Sequence, residues 1–276
     1  MKRAILVSNS ASGNAAAVDE GALVTSLQQG GFEIAARAML PDDDLPDRQS
    51  LETQAIETVI ICAGDGTVSG LCKSLAGWRG EILVLPGGTM NLLARRLHGD
   101  ITMADIVPRM PEIQPEAEAI AVVITDGCEI FTGLTIGPST LWGEVREGMR
   151  QGDVEGLRQM VPAAWSETMG DGGVWLKGAA PNAYTGIFIE PFDAAHVNVI
   201  AFKANSVADM VGHGLAWIRR DFRTGPRDDL GVMPSAVVAG DQEETGVLID
   251  GEFEERNLPL TCTAAMSSVR FLRFKR

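Results

Sequence analysis

With 276 residues, 45% of them hydrophobic, the chain is long enough for one large domain or two modest ones with real cores. Its 37 Asp and Glu outweigh 23 Lys and Arg, for a formal net charge of −14. That balance argues against a nucleic-acid partner, which needs a basic face, and against tight electrostatic docking on an anionic membrane.

Ala4–Val7 reads as a buried strand running into the small polar loop Ser8–Asn14, with a helix then reaching to about Gln29 and stopping at Gly30-Gly31. Phe32–Ala38 is a second strand, and Pro41–Asp47 an acidic, proline-bounded loop. Thr58–Cys62 is continuously apolar and β-branched, as a strand buried on both faces would be. Gly64-Asp65-Gly66-Thr67 follows at once, then helical spacing at Val68, Leu71, Cys72 and Leu75. Ile82–Leu85 repeats the pattern, with Pro86-Gly87-Gly88-Thr89 leading into a helix from about Met90 to Leu97. Such strand–helix alternation implies right-handed βαβ units and a parallel sheet.

Prolines at 111 and 115 and scattered acids mark a boundary. Beyond it, Ala119–Thr125, an Asp126-Gly127 turn and Glu129–Ile136 read as a hairpin. Thr140–Met169 is irregular or helical. Val174–Lys177, Tyr184–Ile189, Val197–Lys203, Gly246–Phe253 and Leu258–Ala264 are strands, and Val269–Phe274 closes the chain. Ser206–Phe222 is an amphipathic helix with a capping-box-like start at Ser206 and Asp209. The expected fold is therefore an α/β lobe with a parallel sheet over residues 1–114, followed by a mainly antiparallel β lobe with one amphipathic helix over 115–264.

Cys62, Cys72, Cys128 and Cys262 form no C-x-x-C pair, and the histidines are His98, His196 and His213 alone, so neither a zinc site nor a disulfide framework is expected. The reading is of a reduced, cytoplasmic protein. The apolar run after Met1-Lys2-Arg3 is too short for a signal peptide, and no stretch approaches a membrane span, so any membrane contact is expected to be peripheral.

The chemistry concentrates in the two glycine turns. Each puts glycine where backbone can approach a phosphate, and each hands over to a helix N-terminus whose N–H groups and dipole favour an anion. Ordinary βα turns are also glycine-rich. Two in tandem, each with Gly and Thr and the first with an acid, point to a nucleotide phosphate site. Ligands on a parallel sheet gather at the carboxyl ends of its strands, where the loops at Asn9, Asp65 and Thr89 are expected to converge. Asp65 is the best-placed acid to hold Mg²⁺ or its waters. Arg95 and Arg96 follow on the second helix, facing either phosphate or solvent.

Ala63-Gly64-Asp65-Gly66-Thr67 and Pro86-Gly87-Gly88-Thr89-Met90-Asn91 resemble the GGDGT and P-x-GT-x-N motifs of the diacylglycerol kinase catalytic-domain family of lipid kinases, with Ala63 in place of the leading glycine. The resemblance implies the NAD kinase/diacylglycerol kinase-like fold, a β-sandwich second lobe, and a last segment, 265–276, that returns to the first lobe. It also implies ATP and Mg²⁺ as cofactors and transfer of the γ-phosphoryl group to a hydroxyl of diacylglycerol or a related lipid. In the family's N-P-x-(S/A)-G loop, which lies against the nucleotide, Asn9, Ser12 and Gly13 match and Ser10 replaces proline. The implied nucleotide-binding set is Asn9, Ser10, Ser12, Gly13, Gly64, Asp65, Gly66, Thr67, Gly87, Gly88, Thr89 and Asn91. Leu248-Ile249-Asp250-Gly251-Glu252 resembles the family's D-G-E motif, which makes Glu252 the base for the acceptor hydroxyl and, with Asp65, the catalytic pair. Read without the family, Asp250-Gly251 is a hairpin turn beside an exposed glutamate.

Three further family positions differ. Ala38 and Met39 stand where a nucleotide-touching threonine is usual. Leu92 stands where many diacylglycerol-specific members have Asp, although other members read N-x-L-A here. Pro191–His196 lacks the D-G pair of the family's metal-binding loop, so that structural metal is not carried over, and Asp193 and His196 read as surface residues. Other readings stay open: a relative that binds nucleotide or lipid without turnover; NAD kinase, whose later Asn-Glu motif is absent; and a dinucleotide oxidoreductase, for which Gly64-x-Gly66-x-x-x-Gly70 is a weak fingerprint without the expected acid. The expected partners are a nucleotide and a lipid or other small hydroxyl substrate.

Overall fold

A computed structural model describes residues 1–9, 20–113, 116–141, 173–178, 183–202 and 227–274. Outside them lie Ser10, Ser12 and Gly13, the expected helix Ser206–Phe222 and nearly all of Thr140–Met169. The chain divides into two compact units, Met1–Ile120 with Met266–Arg276, and Ala121–Ala265.

The first unit runs β1 (Lys2–Asn9), α1 (Glu20–Gln29), β2 (Phe32–Leu40), α2 (Arg48–Thr53), β3 (Thr58–Ala63), α3 (Asp65–Ser74), β4 (Glu81–Pro86), α4 (Leu92–His98) and α5 (Met103–Ile106), then a 3-10 helix, Val107–Glu112. Its sheet has the order β4-β3-β1-β2, with the short C-terminal strand Arg270–Phe271 added beside β4. All these pairings are parallel. Every residue of β3 and β4 is buried, as helices on both faces of a parallel sheet require. Alternate strand residues share a face: Ala4, Leu6, Ile60, Cys62, Leu83 and Leu85 pack with Leu23 and Leu27 of α1 and with Met110, Leu272 and Phe274.

α2 left no clear periodicity in the sequence. It is started by the acidic loop itself, Asp47 accepting a hydrogen bond from Ser50 N at 2.7 Å. At the amino ends of the strands the buried Glu81 is satisfied by Lys2 Nζ at 2.5 Å and Thr58 Oγ1 at 3.0 Å. From β1 the chain passes to β2 on one side and returns to β3 on the other, so β1 and β3 flank a topological switch point. Open α/β sheets bind ligands outside the carboxyl ends of the strands at such a point.

The second unit contains β5 (Ala121–Thr125), β6 (Cys128–Ile130), β7 (Leu134–Ile136), β8 (Val174–Leu176), β9 (Gly186–Pro191), β10 (Val197–Phe202), β11 (Arg227–Met233), β12 (Ser235–Gly240), β13 (Glu244–Ile249), β14 (Glu252–Asn257) and β15 (Leu260–Met266). They form two sheets, β11-β10-β9-β7-β13-β14 and β6-β5-β15-β12-β8. Residues from both sheets share one core, among them Val123, Ile136, Ile187, Val199, Val238, Val247, Ile249 and Cys262, as in a β-sandwich.

Two readings of this half are corrected. Glu129–Ile136 is not one strand: Phe131-Thr132-Gly133 breaks it, and β6 and β7 belong to different sheets. Gly133 has φ 132°, and a Cβ there would lie 2.8 Å from the Phe188 ring. Gly246–Phe253 is the hairpin of β13 and β14. Among the described residues no helix is long and apolar enough to cross a membrane.

Candidate functional site

The carboxyl ends of β1, β3 and β4 carry three of the singled-out stretches, and the structure ties them together. Asn9, the last residue of β1, donates from Nδ2 to Thr67 Oγ1 at 3.2 Å. Thr67 lies in the first turn of α3, so the first loop and the first glycine turn meet across the switch point. Ala63 is the last residue of β3; its extended backbone accepts alanine without strain. Gly64 is the N-cap of α3 (φ −76°, ψ 166°), and no side chain caps this helix. Asp65, Gly66 and Thr67, half-buried, form its first turn, where backbone N–H groups have no intrahelical acceptor.

The second turn is built differently from the sequence expectation. Gly87 and Gly88 are buried. A Cβ on Gly87 would lie 2.5 Å from Ala63 N, and one on Gly88 would lie 2.5 Å from Gly64 Cα. Glycine is required here because the backbones of the two turns rest on each other, a reason separate from any ligand. Thr89 is exposed. Asn91 is buried at 8% exposure and left-handed, with φ 52° and ψ 43°, a region asparagine tolerates better than most residues. Its Oδ1 accepts from Gly88 N at 2.7 Å and its Nδ2 donates to Gly88 O at 2.9 Å. Because Asn91 is left-handed, α4 begins at Leu92 and not at Met90, and it runs for seven residues. Asp65 Oδ1 accepts from Leu93 N at 3.4 Å, so the acid of the first turn reaches the start of α4.

This packing separates the glycines. Gly88→Ala should cost about 1–3 kcal/mol of stability, the usual scale of overpacking, because the atom it meets is backbone. Gly66→Ala, in the helical part of the first turn, should not destabilise, since alanine favours helix by about 1 kcal/mol over glycine. Denaturant unfolding of both variants checks this; equal losses would contradict the packing assigned to Gly88.

Arg95 Nε lies 3.1 Å from Asp100 Oδ1, so it is paired at the far end of α4; Arg96 is half-buried. His98 closes that end, its Nε2 2.9 Å from Val84 O. Burial pulls the His98 pKa down to about 4, against the Val84 carbonyl, with the charges of Arg273 and Arg109 adding to the fall. The ring is thus neutral near pH 7. Burial also pushes the Cys62 thiol, at the end of β3, up to about 11, so it offers no thiolate.

In the second unit Asp250 and Gly251, both at positive φ (49° and 94°), turn β13 into β14, as a tight hairpin needs. Glu252 is exposed at the start of β14, opposite Ile249. Asp250 was expected from the sequence only as part of that turn. It is 3% exposed. Its carboxylate accepts from Phe131 N at 3.2 Å, Thr132 N at 2.7 Å and Thr132 Oγ1 at 2.7 Å, and its own N–H donates to Gly133 O at 3.1 Å. It therefore anchors the corner where β6 gives way to β7. The Asp-Gly turn was legible; partners at 131 and 132 were not, being so distant in sequence. Asp250→Ala would leave buried donors unpaired and should cost about 2–4 kcal/mol, read from chemical denaturation. A loss within 0.5 kcal/mol, the surface-substitution scale, would contradict the anchoring role.

At the β9–β10 turn, Asp193 Oδ1 accepts from Ala195 N and His196 N, both at 2.8 Å, and lies 2.9 Å from His196 Nδ1. Asp193 is exposed and His196 half-buried, and the contacts close the turn on itself. Among the described residues no three His, Cys, Asp or Glu side chains are grouped to hold a metal. A single half-buried carboxylate, Asp65, stands at the turns. That donor set fits a magnesium ion held mainly by phosphate oxygens and water, with one protein carboxylate, and does not fit an all-protein cage.

Residues 3–123 match the family model described as "Diacylglycerol kinase catalytic domain". Three solved structures from Bacillus anthracis str. Sterne are similar over nearly the whole chain. Two are described as a "putative diacylglycerol kinase", at 14% identity and TM-score 0.63. The third is described as a diacylglycerol kinase, at 13% identity and TM-score 0.61. In each case the match covers 99% of this chain and 97% of the other. At that identity the likeness is one of fold. No curated protein matches the chain.

Proposed function

We propose that this chain, whose residues 3–123 match the diacylglycerol kinase catalytic-domain family model, is an ATP-dependent kinase that transfers the γ-phosphoryl group to a hydroxyl of diacylglycerol or a related lipid. The observation that carries the reading is the joining of the turns at the switch point: Asn9 to Thr67 at 3.2 Å, and the Gly88 backbone resting on Gly64. Phosphoryl transfer needs positioning and charge neutralisation more than covalent chemistry by the protein. In this reading the uncapped first turn of α3 and the Thr89 turn position the polyphosphate, together with Asn9, Ser10, Ser12 and Gly13 of the first loop. Asp65 holds Mg²⁺ or its waters; the ion, when bound with ATP, supplies charge neutralisation at the phosphates. Glu252 takes the proton from the acceptor hydroxyl. With ATP as donor and a lipid as acceptor, the protein would work in the cytoplasm, at a membrane surface.

One observation favours a second reading, nucleotide binding without turnover. Asp65, the only acid in the two turns, already accepts a bond from Leu93 N, and this engagement competes with a role toward the ion. Incubation with γ-labelled ATP, Mg²⁺ and a panel of lipids in mixed micelles separates the readings. Labelled lipid is the expected result. Nucleotide binding with no labelled product would select the binder, and label appearing in NADP on addition of NAD would select an NAD kinase-like activity.

A further inference from the structure

We infer that Asn91 is a positioning residue: its carboxamide clasps the backbone of Gly88 and thereby sets the second turn for phosphate, without touching the nucleotide. The inference rests on the nucleotide site proposed above. Three features of Asn91 carry it. The side chain is buried at 8% exposure. Both ends of its amide are spent on one residue, accepting from Gly88 N at 2.7 Å and donating to Gly88 O at 2.9 Å. Its backbone is left-handed and forms the N-cap of α4, so the residue that shapes the turn also starts the helix.

The consequence reaches the ligand side. Gly88 N–H, which a glycine turn would otherwise offer to an anion, points inward to the clasp. The exposed residue that follows, Thr89, becomes the anion-facing member of the second turn. Because Gly88 also rests on Gly64, a single clasp fixes the spacing of both turns. A carboxamide is suited to this: it donates and accepts from one planar group, whereas a carboxylate only accepts.

Variants separate the clasp from the backbone. Asn91→Gly keeps the left-handed conformation and deletes the clasp; Asn91→Asp keeps the acceptor for Gly88 N and sets an anionic oxygen against Gly88 O. The full chain is titrated calorimetrically with Mg·ADP, while NMR follows hydrogen exchange at the Gly88 amide without nucleotide. The Gly88 amide should be protected in the wild type and lose protection in Asn91→Gly. Mg·ADP affinity should fall roughly 10- to 100-fold in Asn91→Gly, the scale of a small misplacement at a site, and by less in Asn91→Asp. Wild-type affinity in Asn91→Gly would overturn the inference, as would lost affinity with the Gly88 amide still protected. Should Asn91→Gly fail to fold, Asn91→Asp decides alone, and unchanged affinity there overturns it. No Mg·ADP binding by the wild type would sink the nucleotide reading and the inference with it; the other results sink the inference alone.

Discussion

Asp65→Asn should abolish phosphoryl transfer while leaving the protein folded. The reason lies in the two tasks of that carboxylate. Its Oδ1 accepts a long bond, 3.4 Å, from Leu93 N, and an asparagine oxygen in the same place still accepts it. What the variant loses is the negative charge proposed to act beside the phosphates. Loss of one preorganised electrostatic contact of this kind costs roughly 10²–10³-fold in rate, and more is expected where it also holds the ion that travels with ATP. The Mg²⁺ dependence of ATP binding should flatten. Asp65→Ala should lose the rate equally and about 1 kcal/mol of stability besides, the scale of a lost helix-capping contact. Steady-state rates over a Mg²⁺ series, with melting curves for both variants, test this. Turnover within tenfold of wild type in Asp65→Asn would remove the carboxylate from the chemistry.

Glu252→Gln should show the opposite pattern: Mg·ATP affinity unchanged and turnover lowered by roughly 10²–10⁴-fold, the range for a lost general base. Glu252 is exposed at the start of β14, so replacing it should move stability by no more than about 0.5 kcal/mol. The contrast with Asp250 is informative because the two residues share one turn. Asp250 spends its carboxylate on Phe131 and Thr132, so its loss should appear first in unfolding. Loss of Glu252 should appear only in the rate with acceptor present. An unchanged rate in Glu252→Gln would end its assignment as base, and the D-G-E motif would then serve the fold alone.

The first unit was legible because its strands are buried on both faces and therefore read as unbroken apolar runs: Val59–Cys62 and Ile82–Leu85 are such runs, and both are strands. The second unit was legible as antiparallel in outline and misread in detail. β11, Arg227–Met233, is an edge strand carrying Asp228 and Asp229, with a shifted register near Gly231; mixed charge and a bulge hide the period of two. The break at Phe131–Gly133 depends on Asp250, and no local pattern announces a bond across 118 positions.

For the candidate site, the motifs singled out the two glycine turns, and the structure adds a packing reason for glycine that the sequence did not show. Glycine at 87 and 88 was read as room for phosphate. Contact with Ala63 and Gly64 exists only once β3 and β4 lie side by side. Asn91 was read as a ligand contact, and only its left-handed backbone and its pairing with Gly88 reveal a clasp.

A crystal structure of the protein with Mg·ADP bears most directly on the nucleotide site. The diphosphate is expected over the first turn of α3 and the Thr89 turn, beside Asn9, with the ion within coordination distance of Asp65 or of a water held by it. Nucleotide found elsewhere, or an Asp65 carboxylate turned away with its only contact at Leu93 N, would contradict it.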